Sequence, residues 1–298
     1  MSGRRAVVTS IGLAAWVVAL VALPATVPLQ ARVLLLAPLV IVPRLLDAVP
    51  LGSRLLPVEA PLALTAALPL LAAVAIPVGP PAAVLAVPWL ALCAAFGLAA
   101  AWRGIRQLPS LLVPARAAEL GLLAAFGFLA VAALFLFFDR LGFQPGGFSP
   151  DIILLTAIHF HFAGFGLLLV ASLLAARRPR VGVAAVGLLV GIPVTAAGFV
   201  TGSTPLSAIG ALVTGLSGVG VALALLVDRS SVPTPKRVAM RLAGLALLIG
   251  MPMGIAWSVA LALGTTFLDL DRMLRTHGEL NALAVLLVTL TLPWPDPA

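Results

Sequence analysis

Long apolar runs recur from one end of the chain to the other, separated by short polar breaks. Ten runs stand out, at residues 6–23, 31–43, 61–77, 81–101, 117–138, 151–176, 181–200, 205–227, 241–263 and 277–294. Most are long enough for a helix to cross ~30 Å of hydrocarbon at ~1.5 Å per residue. The pattern predicts an all-α polytopic membrane bundle of about ten transmembrane helices. The short alternating segments of a transmembrane β-barrel are absent. The second run is the exception in length. It carries Pro38 inside and Pro43 at its end, so a tilted or re-entrant segment is expected there.

Composition sharpens this picture. Hydrophobic residues make up 62% of the 298-residue chain and charged residues only 9%, with a mean hydropathy of +1.20. A soluble domain is excluded on those grounds. The net charge of +8 comes from arginines placed in short breaks, without a basic domain or interleaved aromatics, so no nucleic acid is expected. With ten spans and a cytoplasmic N-terminus, the inner breaks hold 14 of the 18 basic residues. They are Arg4, Arg5, Arg44, Arg54, Arg103, Arg106, Arg116, Arg177, Arg178, Arg180, Arg229, Lys236, Arg237 and Arg241. Only Arg32, Arg140, Arg272 and Arg275 fall outside, which orients both termini to the cytoplasm. Trp102 and Trp294 then sit at inner helix ends, as an aromatic belt requires. No linker or repeat divides residues 1–298, and the longest hydrophilic break, near 228–240, is too short for a soluble domain. A single integral membrane domain follows. The first run, after Arg4 and Arg5, has the look of a signal peptide but is long enough to span, and is read as a retained helix. Cys93 stands alone, which excludes an intrachain disulfide or a thiol pair.

Small residues recur at four-residue steps in three runs: Gly187, Gly191 and Thr195; Gly210, Thr214, Gly218 and Ala222; and Gly250, Gly254, Ser258 and Ala262. Each set shares one helix face and is read as a packing face. Pro193 and Pro252 each remove a backbone donor inside a run and are expected to kink it.

Ionisable groups in hydrocarbon are costly and turn toward a cavity or a partner. DIILLTAIHFHFAGFG, at Asp151–Gly166, holds His159 and His161. Thr156 shares a face with His159. Residues two apart on an α-helix point in nearly opposite directions, so HFH can aim both rings at one point only if the helix is unwound or bulged. The bland alternative is that each imidazole bonds a backbone group nearby. THGELNALA, at Thr276–Ala284, places His277 and Asn281 on one face. Thr276 with Glu279 three residues on fits a capping box, so part of this motif has a structural explanation. By the predicted topology all three histidines lie in the outer half of the bilayer, where convergence is permitted. Asp139, Asp151, Asp269 and Asp271 lie in the breaks leading there and could supply a proton or cation entry, though most of them are read as plain solvated loop carboxylates. Glu59 and Glu119 open the third and fifth runs, where the helix dipole favours them.

No phosphate loop, HExxH, CxxC, GxSxG or dinucleotide fingerprint is present, so no ATP-driven step is expected from this chain alone. LTAIHFHFAGF (Leu155–Phe165), HGELNALA (His277–Ala284) and LLLAPLVIVP (Leu34–Pro43) together resemble the YndJ-like family of bacterial multi-pass membrane proteins. The resemblance implies a transporter-like protein of the bacterial plasma membrane and points to His159, His161, His277 and Asn281. The leading expectation is a permease-like protein for an unknown small solute. Its site for substrate or protons is expected at His159, His161, His277, Asn281 and Thr156. No cofactor is favoured and enzymatic activity is not expected. The alternative is an intramembrane enzyme holding a metal ion or haem on His159, His161 and His277, since imidazole suits zinc, copper and iron. A structural or sensing component, whose histidines only pack, is the residual reading.

Overall fold

The computed structural model describes residues 3–49, 55–56, 59–111, 113–227 and 232–292. Arg54, Arg229, Trp294 and the side chain of Arg5 lie outside the described residues. The described chain is helical, with no strand. Its helices are α1 (Gly3–Ala22), α2 (Leu29–Ala48), α3 (Ala60–Ala75), α4 (Pro80–Leu111) and α5 (Ala117–Leu141). They continue with α6 (Pro150–Arg177), α7 (Gly182–Thr201), α8 (Thr204–Leu226), α9 (Thr234–Ala262) and α10 (residues 270–291). Among the described residues seven helices are long and apolar enough to cross a membrane: α2, α4, α5, α6, α7, α8 and α9. The helices α1 and α3 are shorter apolar segments.

The chain divides into two compact units, Met1–Arg106 with Leu123–Gly166, and Gln107–Leu122 with Leu167–Ala298. The first is built around α2. Where a short, tilted or re-entrant run was expected, α2 is 20 residues long and 78% of its most apolar stretch is buried. Its two prolines are accommodated by a π-helical turn at Ala37–Ile41. Pro43 has no N–H to give the Leu39 carbonyl four residues earlier. Gly12 of α1 packs against that same carbonyl, so closely that a Cβ there would overlap it. In the same unit α4 and α5 meet at Gly97, where a Cβ would lie 2.6 Å from that of Ala130. Beside this contact Phe96 stacks on Phe126 at 5.0 Å between centroids, and Phe165 meets Phe126 edge to face at 5.6 Å.

The second unit is a sequential bundle of α7, α8, α9 and α10, each packed on the next. Here the small-residue faces act as expected. Gly191 packs on Thr214, Gly198 on Ser207 and Gly210 on Thr195, each with no room for a Cβ. Gly218 admits the Met251 side chain, a Cβ there being 2.6 Å from its Cγ. Gly202, at φ 67°, closes α7, and Ser203 caps α8 by accepting from the Leu206 N–H. Both α7 and α9 run on through Pro193 and Pro252.

Several basic residues read as orientation markers also close helix ends, where carbonyls lack helical donors. In the first unit Arg32 donates to the carbonyls of Leu20 and Pro24, both at 2.7 Å, and Val27 at 3.2 Å, beyond the end of α1. In the second, Arg178 donates to Ala224 at the end of α8, and Lys236 donates to Thr291 at the end of α10. Asp139, expected as a solvated loop carboxylate, is instead in the last turn of α5. It is paired with Arg140 at 2.6 Å, and both side chains are less than a tenth exposed. Arg140 also accepts the Gly79 N–H at its carbonyl, which ties the α3–α4 connection to the end of α5. Glu59 pairs with Arg4 and Glu119 with Arg116.

Candidate functional site

In the first unit, Ser149 caps α6, Pro150 follows as the first helical residue, and Asp151 lies in the first turn. The helix is regular to His159 and then π-helical over Phe160–Leu167. The distortion that HFH would need therefore exists, and the two rings stand in different surroundings. His159 is exposed, whereas His161 is 0% exposed. Gly164 is required by this turn, since a Cβ would lie 2.9 Å from that of Phe128. Thr156 donates to the Ile152 carbonyl of its own helix at 2.7 Å.

His161 has both ring nitrogens engaged. Trp89 of α4, also fully buried, points its Nε1–H at His161 Nε2 across 3.2 Å, with the ring planes 17° apart. An indole N–H can only donate, so Nε2 accepts and the proton resides on Nδ1. From there it is donated to the Ala157 carbonyl at 2.8 Å. The ring is a neutral imidazole fixed in one tautomer. It has no lone pair for a metal unless Trp89 is released. Sequence reasoning missed Trp89. Its signal was a tryptophan deep in an apolar run rather than at a run end, whose N–H must find an acceptor.

In the second unit, α10 starts earlier than the run at 277–294. Asp269, read above as a loop carboxylate, caps it by accepting from the Arg272 N–H at 2.8 Å. The expected capping box at Thr276 and Glu279 does not form. Thr276 lies inside the helix and donates back to the Arg272 carbonyl. A π-helical turn spans Leu274–Gly278 and carries His277.

His277 and Asn281 meet α9 at Gly250 and Gly254. His277 Nδ1 lies 2.8 Å from the Gly250 carbonyl oxygen, and Asn281 Nδ2 lies 3.1 Å from His277 Nδ1 and 3.2 Å from its Nε2. In the tautomer that fits, Nδ1–H donates to Gly250 and Nε2 accepts from the Asn281 amide. A Cβ on Gly254 would sit 2.7 Å from His277 Cε1, and one on Gly250 would sit 2.7 Å from Asn281 Oδ1. The glycine stripe of α9, expected only to pack helices, is thus the seat of this polar pair. Pro252, between the two glycines, leaves the Leu248 carbonyl without its helical donor.

One atom of the pair is unsatisfied. Asn281 Oδ1 is buried and has no hydrogen-bond partner among the described residues. A buried amide oxygen in that condition is rare in native structures. Thr289 Oγ1, two turns further along α10, is also buried and has no hydrogen-bond partner among the described residues. His161 and His277 each find their partners within their own unit. Among the described residues no group of three or more His, Cys, Asp or Glu is placed to hold a metal ion.

Comparison with known proteins places the chain in a family. A family model described as YndJ-like protein matches residues 32–285, most of the chain, and the chain belongs to that family. The match takes in both histidine motifs and all of α2 beyond its first turn. No curated protein and no solved structure matches the chain.

Proposed function

We propose that this YndJ-like family member is a multi-pass transporter of the bacterial plasma membrane, with His277 and Asn281 as its working polar pair. In this reading the single membrane domain has ten crossings. The helices α1, α3 and α10 cross with the seven long ones, and both termini face the cytoplasm, following the 14-to-4 distribution of basic residues. The substrate is a small solute, and the histidine relays protons.

The observation that carries the reading is the unpartnered Asn281 Oδ1 beside a histidine. Neutral His277 uses its Nε2 lone pair to accept from the Asn281 amide. A proton arriving at Nε2 turns that acceptor into a donor, and the existing contact becomes N–H against N–H. Turning the amide by half a revolution brings Oδ1 to the new N–H and satisfies the oxygen that was unpaired. Each protonation state thus selects its own amide orientation, which is what a relay requires. The Gly250 carbonyl anchors the other nitrogen throughout. His159 and His161 join this reading less directly. His159 is exposed, and His161 has both nitrogens engaged.

The test is solute-dependent proton flux into sealed vesicles holding the purified protein, scanned over mixtures of small solutes. The wild-type chain is expected to give a flux that His277→Ala abolishes and Asn281→Leu lowers at least about ten-fold, the loss of one protonation-linked step. Flux that is unchanged with His159→Ala and His277→Ala combined would sink the proposal.

A further inference from the structure

The helix α4 carries a surface that the transport reading does not use. Val84, Val87, Leu98, Trp102 and Ile105 recur at helical spacing on one face and are all exposed, with Leu98 and Ile105 at 73% and Trp102 at 60%. From Val84 to Ile105 is 21 residue steps, about 32 Å of helix, close to the ~30 Å depth of the hydrocarbon. Arg106 follows immediately, so it stands where hydrocarbon gives way to headgroups. Its guanidinium lies over the Trp102 ring, 4.1 Å from the centroid. Among the described residues it has no hydrogen bond or ion pair. The sequence of α4 contains no Asp or Glu at all. An exposed guanidinium held over an indole therefore keeps its N–H donors open at the edge of an apolar face.

We propose that the C-terminal end of α4 is a binding site for an anionic phospholipid, with Arg106 on Trp102 taking the headgroup phosphodiester and the Leu98–Ile105 face taking an acyl chain. The guanidinium fork matches two phosphate oxygens at once, which an ammonium cannot do. The indole fixes the fork in place by cation–π attraction and so removes part of its ordering cost. Anionic rather than zwitterionic lipid is favoured because the cation has no carboxylate to neutralise it. The acyl chain distinguishes this site from one for free phosphate, which has nothing to place along Leu98 and Ile105.

The experiment uses the full chain, delipidated in detergent and titrated with phosphatidylglycerol or phosphatidylcholine, with bound lipid counted by native mass spectrometry. The wild type is expected to prefer phosphatidylglycerol about five-fold, the effect of one basic residue at a lipid surface. Arg106→Gln should bring phosphatidylglycerol down to the phosphatidylcholine level. Trp102→Leu, which keeps the charge and loses the stack, should lower it about two-fold. Arg180→Gln, an exposed charge in the other unit, should leave the preference intact, and excess inorganic phosphate should not displace the lipid. An unaltered preference in Arg106→Gln would overturn the proposal, as would equal loss of both lipids in that variant or displacement by inorganic phosphate. Because flux through His277 is measured separately, either reading can fail without the other.

Discussion

His161 and His277 are both imidazoles within apolar helices, both carried on π-helical turns, and both donate Nδ1–H to a backbone carbonyl. They differ at the other nitrogen. His161 Nε2 accepts from an indole N–H, a group that can do nothing else. His277 Nε2 accepts from a primary amide, which carries a donor and an acceptor and can exchange them by turning. The first partner locks one state, and the second offers two. Their surroundings follow the same division. The Trp89 ring lies against His161, while Gly250 and Gly254 clear space around His277. On the proposed reading, the chemistry of the second partner separates the two histidines more than burial does.

That comparison can be broken at several points. The largest effect on stability is expected from His161→Ala, which opens a cavity and leaves the Trp89 N–H unpaired in the core. The loss should be about 3 kcal/mol, read as a fall in the thermal midpoint of the purified protein. Gly254→Ala comes next. Its Cβ meets the His277 ring, so a loss of about 1–3 kcal/mol is expected, together with loss of proton flux. Asn281→Leu should separate the two properties most cleanly. It removes an amide whose oxygen is already unsatisfied, so stability should change by less than about 1 kcal/mol while flux falls. If Asn281→Leu instead destabilised the protein as much as His161→Ala does, the two histidines would be equivalent and the distinction would be lost. The smallest effect belongs to His159→Gln, at an exposed position, with a change within about 0.5 kcal/mol. Chelation by EDTA should leave the midpoint where it is, since no three ligands converge among the described residues. A large drop would revive the metal-holding alternative.

Much of the fold could be read from hydropathy alone, because a helix in lipid must satisfy its own backbone and be apolar along most of its length. Among the described residues each predicted run falls on a helix, with ends that differ by a few residues. Hydropathy failed where the deciding quantity was a hydrogen bond rather than an apolar area. The run at 31–43 was ended at Pro43, whereas α2 continues past that proline to Ala48. The capping box at Thr276 fitted its sequence template, but Asp269 lies far enough upstream to cap first and add more than a turn to α10. The π turns inserted by α2, α6 and α10 change hydrogen-bond register without changing composition, so no apolar pattern reports them. The candidate residues were legible for the same reason as the fold, since imidazoles are conspicuous among leucines. Their partners were not. Trp89 lies 72 positions from His161 in sequence, and a glycine stripe that seats a histidine has the same spacing as one that only packs a helix.

Lys236 illustrates how one charge can carry two kinds of information. During membrane insertion a lysine at a run boundary biases which side of the bilayer that boundary occupies, and for this any cation of similar size would serve. After folding, the same ammonium bonds the Thr291 carbonyl and holds the last turn of α10 to the first turn of α9. On the proposed topology, the orientation signal and the fastener are one atom. Lys236→Gln separates them, since an amide can still reach the carbonyl but no longer votes on orientation. A chain built this way needs few charges, because those that steer its assembly stay on as its clamps.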